Sequence, residues 1–137
     1  TPYYIAPEKL RREPETFLAD MYSLSGTLYH SLTGRTPFEA PQIDDVVLAH
    51  LNTPLTPPNK VVQSISESTS GVISRAMDKD PARRYDSYDQ FIMALTAARS
   101  EFLRGQLRKS SSKAASEKVE TNEVEPAPRK SWFRRKA

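Results

Sequence analysis

A chain of 137 residues with 37% hydrophobic and 27% charged side chains has material for one core of modest size, and part of its length is expected to stay outside it. It contains no cysteine, which excludes disulfides, thiol nucleophiles and cysteine-based metal centres and fits a reducing, intracellular setting. The formal charge of +3 sits in the tail: residues 109–137 hold eight basic and four acidic side chains, so the rest is near neutral and a nucleic-acid-binding face there is not expected.

No run approaches the ~20 apolar residues of a bilayer span, and no signal-peptide pattern is present. The start at Thr1 rather than Met leads us to expect a fragment or a processed product. In chain order, the first strong signal is Phe17–Thr33. Leu24, Leu28 and Leu32 recur every four residues, and Met21, Tyr22 and Tyr29 widen the apolar surface almost all round, as in a helix buried at the centre of its domain. Gly34 and then Pro37 stop it. Ile43, Val47 and Leu51 predict a short amphipathic helix, and TPLTPP (Thr53–Pro58) an extended connector, since proline fixes φ and lacks an amide donor.

A further helix is expected from about Ser64, where Ser64 and Glu67 have capping-box spacing, with Val72, Ile73, Ala76 and Met77 on its apolar side. Ser87 and Gln90 form a second such box. It opens a last helix that carries Phe91, Leu95, Ala98 and Phe102 through roughly Leu107. From about Arg108 the apolar period stops, and the tail is expected to be disordered because it cannot bury enough surface to offset its ordering entropy. No convincing strand and no internal repeat is visible. The only histidines, His30 and His50, have no second histidine at i+3 or i+4, so packing is expected of them and no metal site.

Several of these pieces resemble parts of protein kinases. TPYYIAPE (Thr1–Glu8) is similar to the end of an activation segment, which closes in Ala-Pro-Glu. ADMYSLSGTLYHSLTG (Ala19–Gly34) is similar to the signature that opens the central helix of the kinase helical lobe, and TPF (Thr36–Phe38) follows it. DKDPARRYDSYDQF (Asp78–Phe91) is similar to the stretch in which an Arg before an aromatic leads into the last helix. Four elements in the family's order cover roughly residues 1–98, less than half of a complete kinase domain. One departure is that Ser25 precedes Gly26 where the family usually has Gly directly after Ser-Leu, which puts close helix packing there in question.

The resemblance implies a mostly α fold with a partial kinase C-lobe over residues 1–106, and the composition of the tail adds a disordered basic stretch over 107–137. It implies that Glu8 pairs with Arg84, tying the end of the activation segment to the base of the lobe. Arg suits a buried carboxylate because its planar fork bonds both oxygens, which Lys cannot do; the other reading is two solvated surface charges. It implies that Asp20 accepts backbone bonds from a catalytic loop, although an acid in a helix's first turn is also favoured by the dipole alone. Thr1, Pro2 and Tyr4 would form the platform for the residue after the phosphoacceptor, with Thr1 pointing to Ser/Thr rather than Tyr specificity; a frayed terminus is the plainer alternative.

The parent is then a serine/threonine kinase that uses ATP and Mg²⁺ on protein substrates. The four glycines (Gly26, Gly34, Gly71, Gly105) are too scattered for a phosphate loop, and neither His-Arg-Asp nor Asp-Phe-Gly occurs. No catalytic or metal-holding residue is therefore expected in this chain, which should not bind ATP by itself and would need the N-lobe and catalytic loop as partners. Without them a sizeable apolar patch and marginal stability are expected. PRKSWFRRKA (Pro128–Ala137) reads either as a cytoplasmic juxtamembrane segment, with residues 129–136 facing an anionic membrane and an anchor beyond Ala137, or as a solubilising terminus. The rival readings are a pseudokinase or non-catalytic interaction module, and a tethering tail on an unrelated helical domain.

Overall fold

The structure, a computed structural model, describes residues 1–120, and no strand forms among them. A 3-10 turn at Pro2–Tyr4 leads into helices α1 (Pro7–Leu10), α2 (Phe17–Thr33), α3 (Ile43–Asn52), α4 (Pro58–Val61) and α5 (Glu67–Ala76), a second 3-10 turn (Pro81–Arg83) and α6 (Tyr88–Glu120). The chain divides into two compact units, residues 1–103 and 104–137.

In the first unit, α2 starts where the Thr16 side chain accepts the Leu18 amide and stops at Gly34. Gly34 adopts φ 72°, a left-handed conformation that costs glycine nothing, and its N–H donates to the His30 carbonyl. Aspartates 44 and 45 occupy the first turn of α3, where the helix dipole favours them. Helix α5 begins later than its expected capping box. Ser66, not Ser64, is the N-cap and accepts the Thr69 amide at 3.2 Å. Ser64 is excluded because the chain is still turning there and Ile65 bonds back to the Val62 carbonyl. At α6, Ser87 Oγ accepts the Gln90 amide at 3.2 Å, but the Gln90 carboxamide reaches back to Asp86 rather than to Ser87, so only half of the expected box is made.

Two adjoining clusters form the core. Ala6, Ala19, Tyr22, Tyr29, Ile73 and Met77 make one; Met21, Ala76, Tyr85 and Phe91 make the other, and Leu28 packs against both. Helix α2 runs through both clusters and is thus central, yet it is not covered all round. Its buried positions are Ala19, Met21, Tyr22, Ser25, Gly26 and Tyr29, whereas Leu24 and Leu32 are 48% and 44% exposed. Leu24 and Leu32 therefore lie on the open side of the helix, together with Asp20, Thr27 and Ser31, while Leu28 between them is half-buried against the core. The buried face of α3 is likewise displaced from the expected Ile43, Val47 and Leu51: Val46 and His50 are buried and Ile43 is exposed.

The second unit, as far as it is described, is the continuation of α6. The helix expected to close near Leu107 runs on to Glu120, so the expected disorder of residues 107–120 is corrected. From Gln106 to Glu125 the sequence has neither Gly nor Pro and is rich in Lys, Glu, Ala and Ser, and extending an existing helix avoids the cost of nucleating a new one. Ser110 and Ser111 donate to the Leu107 carbonyl, which spares their hydroxyls from competing elsewhere. The rest of the tail, including the basic stretch 129–136 and Trp132, lies outside the described residues. No described helix is long and apolar enough to cross a membrane.

Candidate functional site: a clamped turn beside a cleft

The first ten residues cannot hold themselves in place, since a 3-10 turn and a four-residue helix have almost no intrinsic stability. Polar side chains from other elements fix them. Pro7 takes the first position of α1, where a missing N–H costs nothing, and the buried Glu8 carboxylate after it meets the Arg84 guanidinium. Nη1 donates to Oε1 at 2.6 Å and Nη2 to Oε2 at 2.8 Å, a two-pronged pair with both partners buried. Arg84 also donates from Nη1 to the Leu18 carbonyl at 2.7 Å and from Nε to the Asp78 carbonyl at 2.9 Å. The guanidinium carbon stands 4.9 Å from the centre of the Tyr22 ring.

One side chain thereby joins α1, the start of α2 and the segment after α5. Burial works to raise the Glu8 pKa, but the Arg84 hydrogen bonds and charge outweigh it and hold the carboxyl below its ordinary value. Next along the chain, Arg75 supports the same segment, donating to the Arg83 and Arg84 carbonyls and lying 4.2 Å over the Tyr85 ring.

The turn itself is held at three points. Ser23 Oγ donates to the Tyr4 carbonyl at 2.9 Å. The Tyr4 hydroxyl meets His30 Nδ1 at 2.7 Å. His50, buried on α3, places Nε2 3.1 Å from the Tyr3 carbonyl and Nδ1 2.8 Å from the Tyr22 hydroxyl. A carbonyl only accepts, so Nε2 carries the proton and Nδ1 accepts from Tyr22. Burial, reinforced by the charge of Lys79 and opposed by the Tyr3 carbonyl, lowers the His50 pKa to about 4, and the ring is neutral at physiological pH. Burial likewise raises the Tyr22 hydroxyl well above its usual range. Lys79 donates to the Ala49 carbonyl at 3.0 Å and sits 4.1 Å over the Phe38 ring, and desolvation followed by the Arg11 charge brings it down to about 8.

The turn walls a cleft of about 570 Å³ lined by Thr1, Pro2, Tyr4 and Ile5 on one side and Ser23, Leu24 and Thr27 of α2 on the other, with Lys9 at its edge. Gly26 lets the two sides approach, because a Cβ there would stand 3.3 Å from Tyr4 Cδ1 and 3.6 Å from Pro37. The Ser25–Gly26 order therefore keeps a glycine at the position that faces the Tyr4 ring, where a Cβ would press on it. Its cost is the Ser25 hydroxyl, which is buried and has no hydrogen-bond partner among the described residues.

Of the residues singled out in the sequence, the structure brings Glu8 and Arg84 together and puts Thr1, Pro2 and Tyr4 in one cleft. Asp20 it leaves exposed in the first turn of α2, without a hydrogen bond or ion pair among the described residues. Sequence reasoning missed the roles of His30 and His50, which it assigned to packing. The available signal was His50 at i+4 from Val46, an imidazole on what proves to be the apolar stripe of α3.

A helical lobe built around one central helix, with its N-terminal turn clamped by a buried carboxylate–guanidinium pair, is the class of structure these observations define. Comparison with known proteins agrees: the family model for the protein kinase domain matches residues 1–96, and the chain belongs to the protein kinase family. Serine/threonine-protein kinase Pkn1 of Myxococcus xanthus is 37% identical over 110 residues, covering 80% of this chain and 16% of that protein. PknE of Mycobacterium tuberculosis is 37% identical over 98 residues, covering 72% and 17%. PknH of the same organism is 33% identical over 98 residues, covering 72% and 16%. The chain thus spans about a sixth of the length of the curated relatives it matches.

Proposed function

We propose that this chain is the helical-lobe part of a serine/threonine protein kinase, and that the whole protein transfers the γ-phosphate of ATP to serine or threonine hydroxyls of protein substrates. The observation that carries the reading is the buried two-pronged Glu8–Arg84 pair, which fixes the cleft-forming turn to the central helix inside the stretch the kinase family matches. In this reading Thr1, Pro2 and Tyr4 seat the residue after the phosphoacceptor, and Asp20 accepts backbone N–H groups of the catalytic loop. The acceptor oxygen attacks the γ-phosphorus, the bond to the β–γ bridging oxygen breaks to release ADP, and the hydroxyl proton passes to a carboxylate base outside these residues.

Phosphoryl transfer is largely positioning and charge stabilisation, and this chain supplies positioning. ATP and Mg²⁺ belong to the whole protein, because the residues that would hold them are not among these 137. We read residues 129–136 as facing an anionic, cytoplasmic membrane surface, an assignment resting on composition alone.

The test is phosphate transfer from radiolabelled ATP by the full-length protein containing this segment, with Mg²⁺ and peptides bearing Ser, Thr or Tyr. Labelling of Ser and Thr peptides is expected. Failure to label any acceptor would refute the enzymatic reading and favour a non-catalytic helical platform. The 137-residue chain alone is expected to show no thermal shift with ATP and Mg²⁺.

A further inference from the structure

We propose that His50 is a positioning residue for the Pro2–Tyr4 turn, holding the Tyr3 carbonyl from the inner face of α3 while Tyr22 of α2 fixes the imidazole from its other nitrogen. The substrate-facing role of that turn rests on the function proposed above; the tether does not. An imidazole is a costly choice for a fully buried position on a helical stripe, where Val46 one turn earlier is aliphatic. It is tolerated because both ring nitrogens are satisfied, and the two partners lie 28 and 47 residues away in different segments. The Phe38 ring, edge-on at 4.8 Å, closes off one side of the ring and so restrains its plane.

The chain of contacts does not stop at Tyr22. Its ring faces the Arg84 guanidinium, which in turn grips Glu8. The turn is thus held from two directions by one connected polar path: Tyr3 carbonyl, His50, Tyr22, Arg84, Glu8. A shift of α3 relative to α2 would have to break the His50–Tyr22 or the His50–Tyr3 bond, so the position of α3 is transmitted to the wall of the cleft.

Glutamine places its amide nitrogen close to where Nε2 lies and can still reach the Tyr3 carbonyl, whereas asparagine reaches only the Nδ1 position. The test compares His50→Gln and His50→Asn in the 137-residue chain by ¹⁵N relaxation of the Tyr3, Tyr4 and Ile5 amides. Order parameters near about 0.85 are expected for the parent chain and for His50→Gln, falling below about 0.6 in His50→Asn. Equal values in both variants, whether both ordered or both loose, would overturn the proposal.

A second measurement needs no variant: the ¹⁵N shifts of the parent imidazole must show a protonated Nε2 and an unprotonated Nδ1, and the opposite tautomer refutes the tether even if His50→Asn fails to fold. In the full-length protein, His50→Asn is expected to raise KM for the acceptor peptide about fivefold, the worth of one hydrogen bond, with KM for ATP unchanged and His50→Gln restoring it. A loosened turn with peptide KM unmoved would leave the tether standing and remove the substrate role of the turn.

Discussion

Replacing Arg84 by Lys isolates what the guanidinium does beyond carrying charge. Arg84 makes four hydrogen bonds, two to the Glu8 carboxylate and one each to the Leu18 and Asp78 carbonyls, from a side chain with no exposure. A single ammonium can stay with one carboxylate oxygen but cannot also reach the two carbonyls, which lie on different sides of the fork. Removing a buried partner altogether costs about 3–5 kcal/mol, and leaving a buried acceptor unpaired costs about 1–3. With the charge kept, one carboxylate bond retained and three of the four bonds lost, Arg84→Lys should destabilise the fold by about 3 kcal/mol.

Urea unfolding followed by far-UV circular dichroism reads this directly. With a slope of about 2 kcal/mol per molar, the midpoint should fall by about 1.5 M. Glu8→Gln should act on the same pair, so the double variant should cost less than the two single variants added together. A midpoint within about 0.2 M of the parent, or strictly additive losses, would show that the pair is not what holds the turn.

Three further outcomes are expected. Ser25→Ala removes a buried hydroxyl without a partner and improves helix propensity, and should stabilise the fold by about 1 kcal/mol, seen as a rise of about 4–8 °C in Tm. His50, neutral when folded with a pKa of about 4 and ordinary when unfolded, lets the unfolded chain bind a proton first as pH falls. Stability is then full above about pH 6.5 and declines towards pH 4 by about 3 kcal/mol, a slope that His50→Gln should flatten in urea titrations at successive pH values. Leu24→Lys, on the open side of α2, should change stability by no more than about 0.5 kcal/mol by the same titration, and a loss above 2 would mean that the leucine is buried in solution.

The legible parts of this fold were those that depend on local chemistry. The stop at Gly34, the proline connector and the apolar side of α5 follow from backbone preferences that a sequence displays directly. The charged clamp was legible only through resemblance: Glu8 and Arg84 are 76 residues apart, and nothing in composition or period connects them. Which stripe of α2 is buried was misread because Leu24 and Leu32 are more hydrophobic than Ser25 and Gly26, yet the small residues are the ones that let neighbouring segments approach. The length of α6 was misread for a different reason. Loss of the apolar period signals loss of burial, and residues 107–114, exposed yet helical, show that a helix already nucleated can continue on propensity without burial.

The histidines expose the deeper limit. A buried His is indistinguishable in sequence from an exposed one, because its value depends on whether two acceptors or donors from elsewhere arrive at its nitrogens. Here they arrive from the turn and from the central helix, and the same central-helix residue also meets the clamp. The consequence is a division of labour. Apolar packing fixes α2, α5 and the start of α6, which would keep their places if any single polar bond were lost. The segment 1–10 buries little beyond Ala6, Pro7 and Glu8, and depends on a few discrete bonds, each worth about 1 kcal/mol or more. A segment held in that way can be ordered or released by changing one bond without unfolding the domain beneath it, which is the property a substrate-facing wall requires.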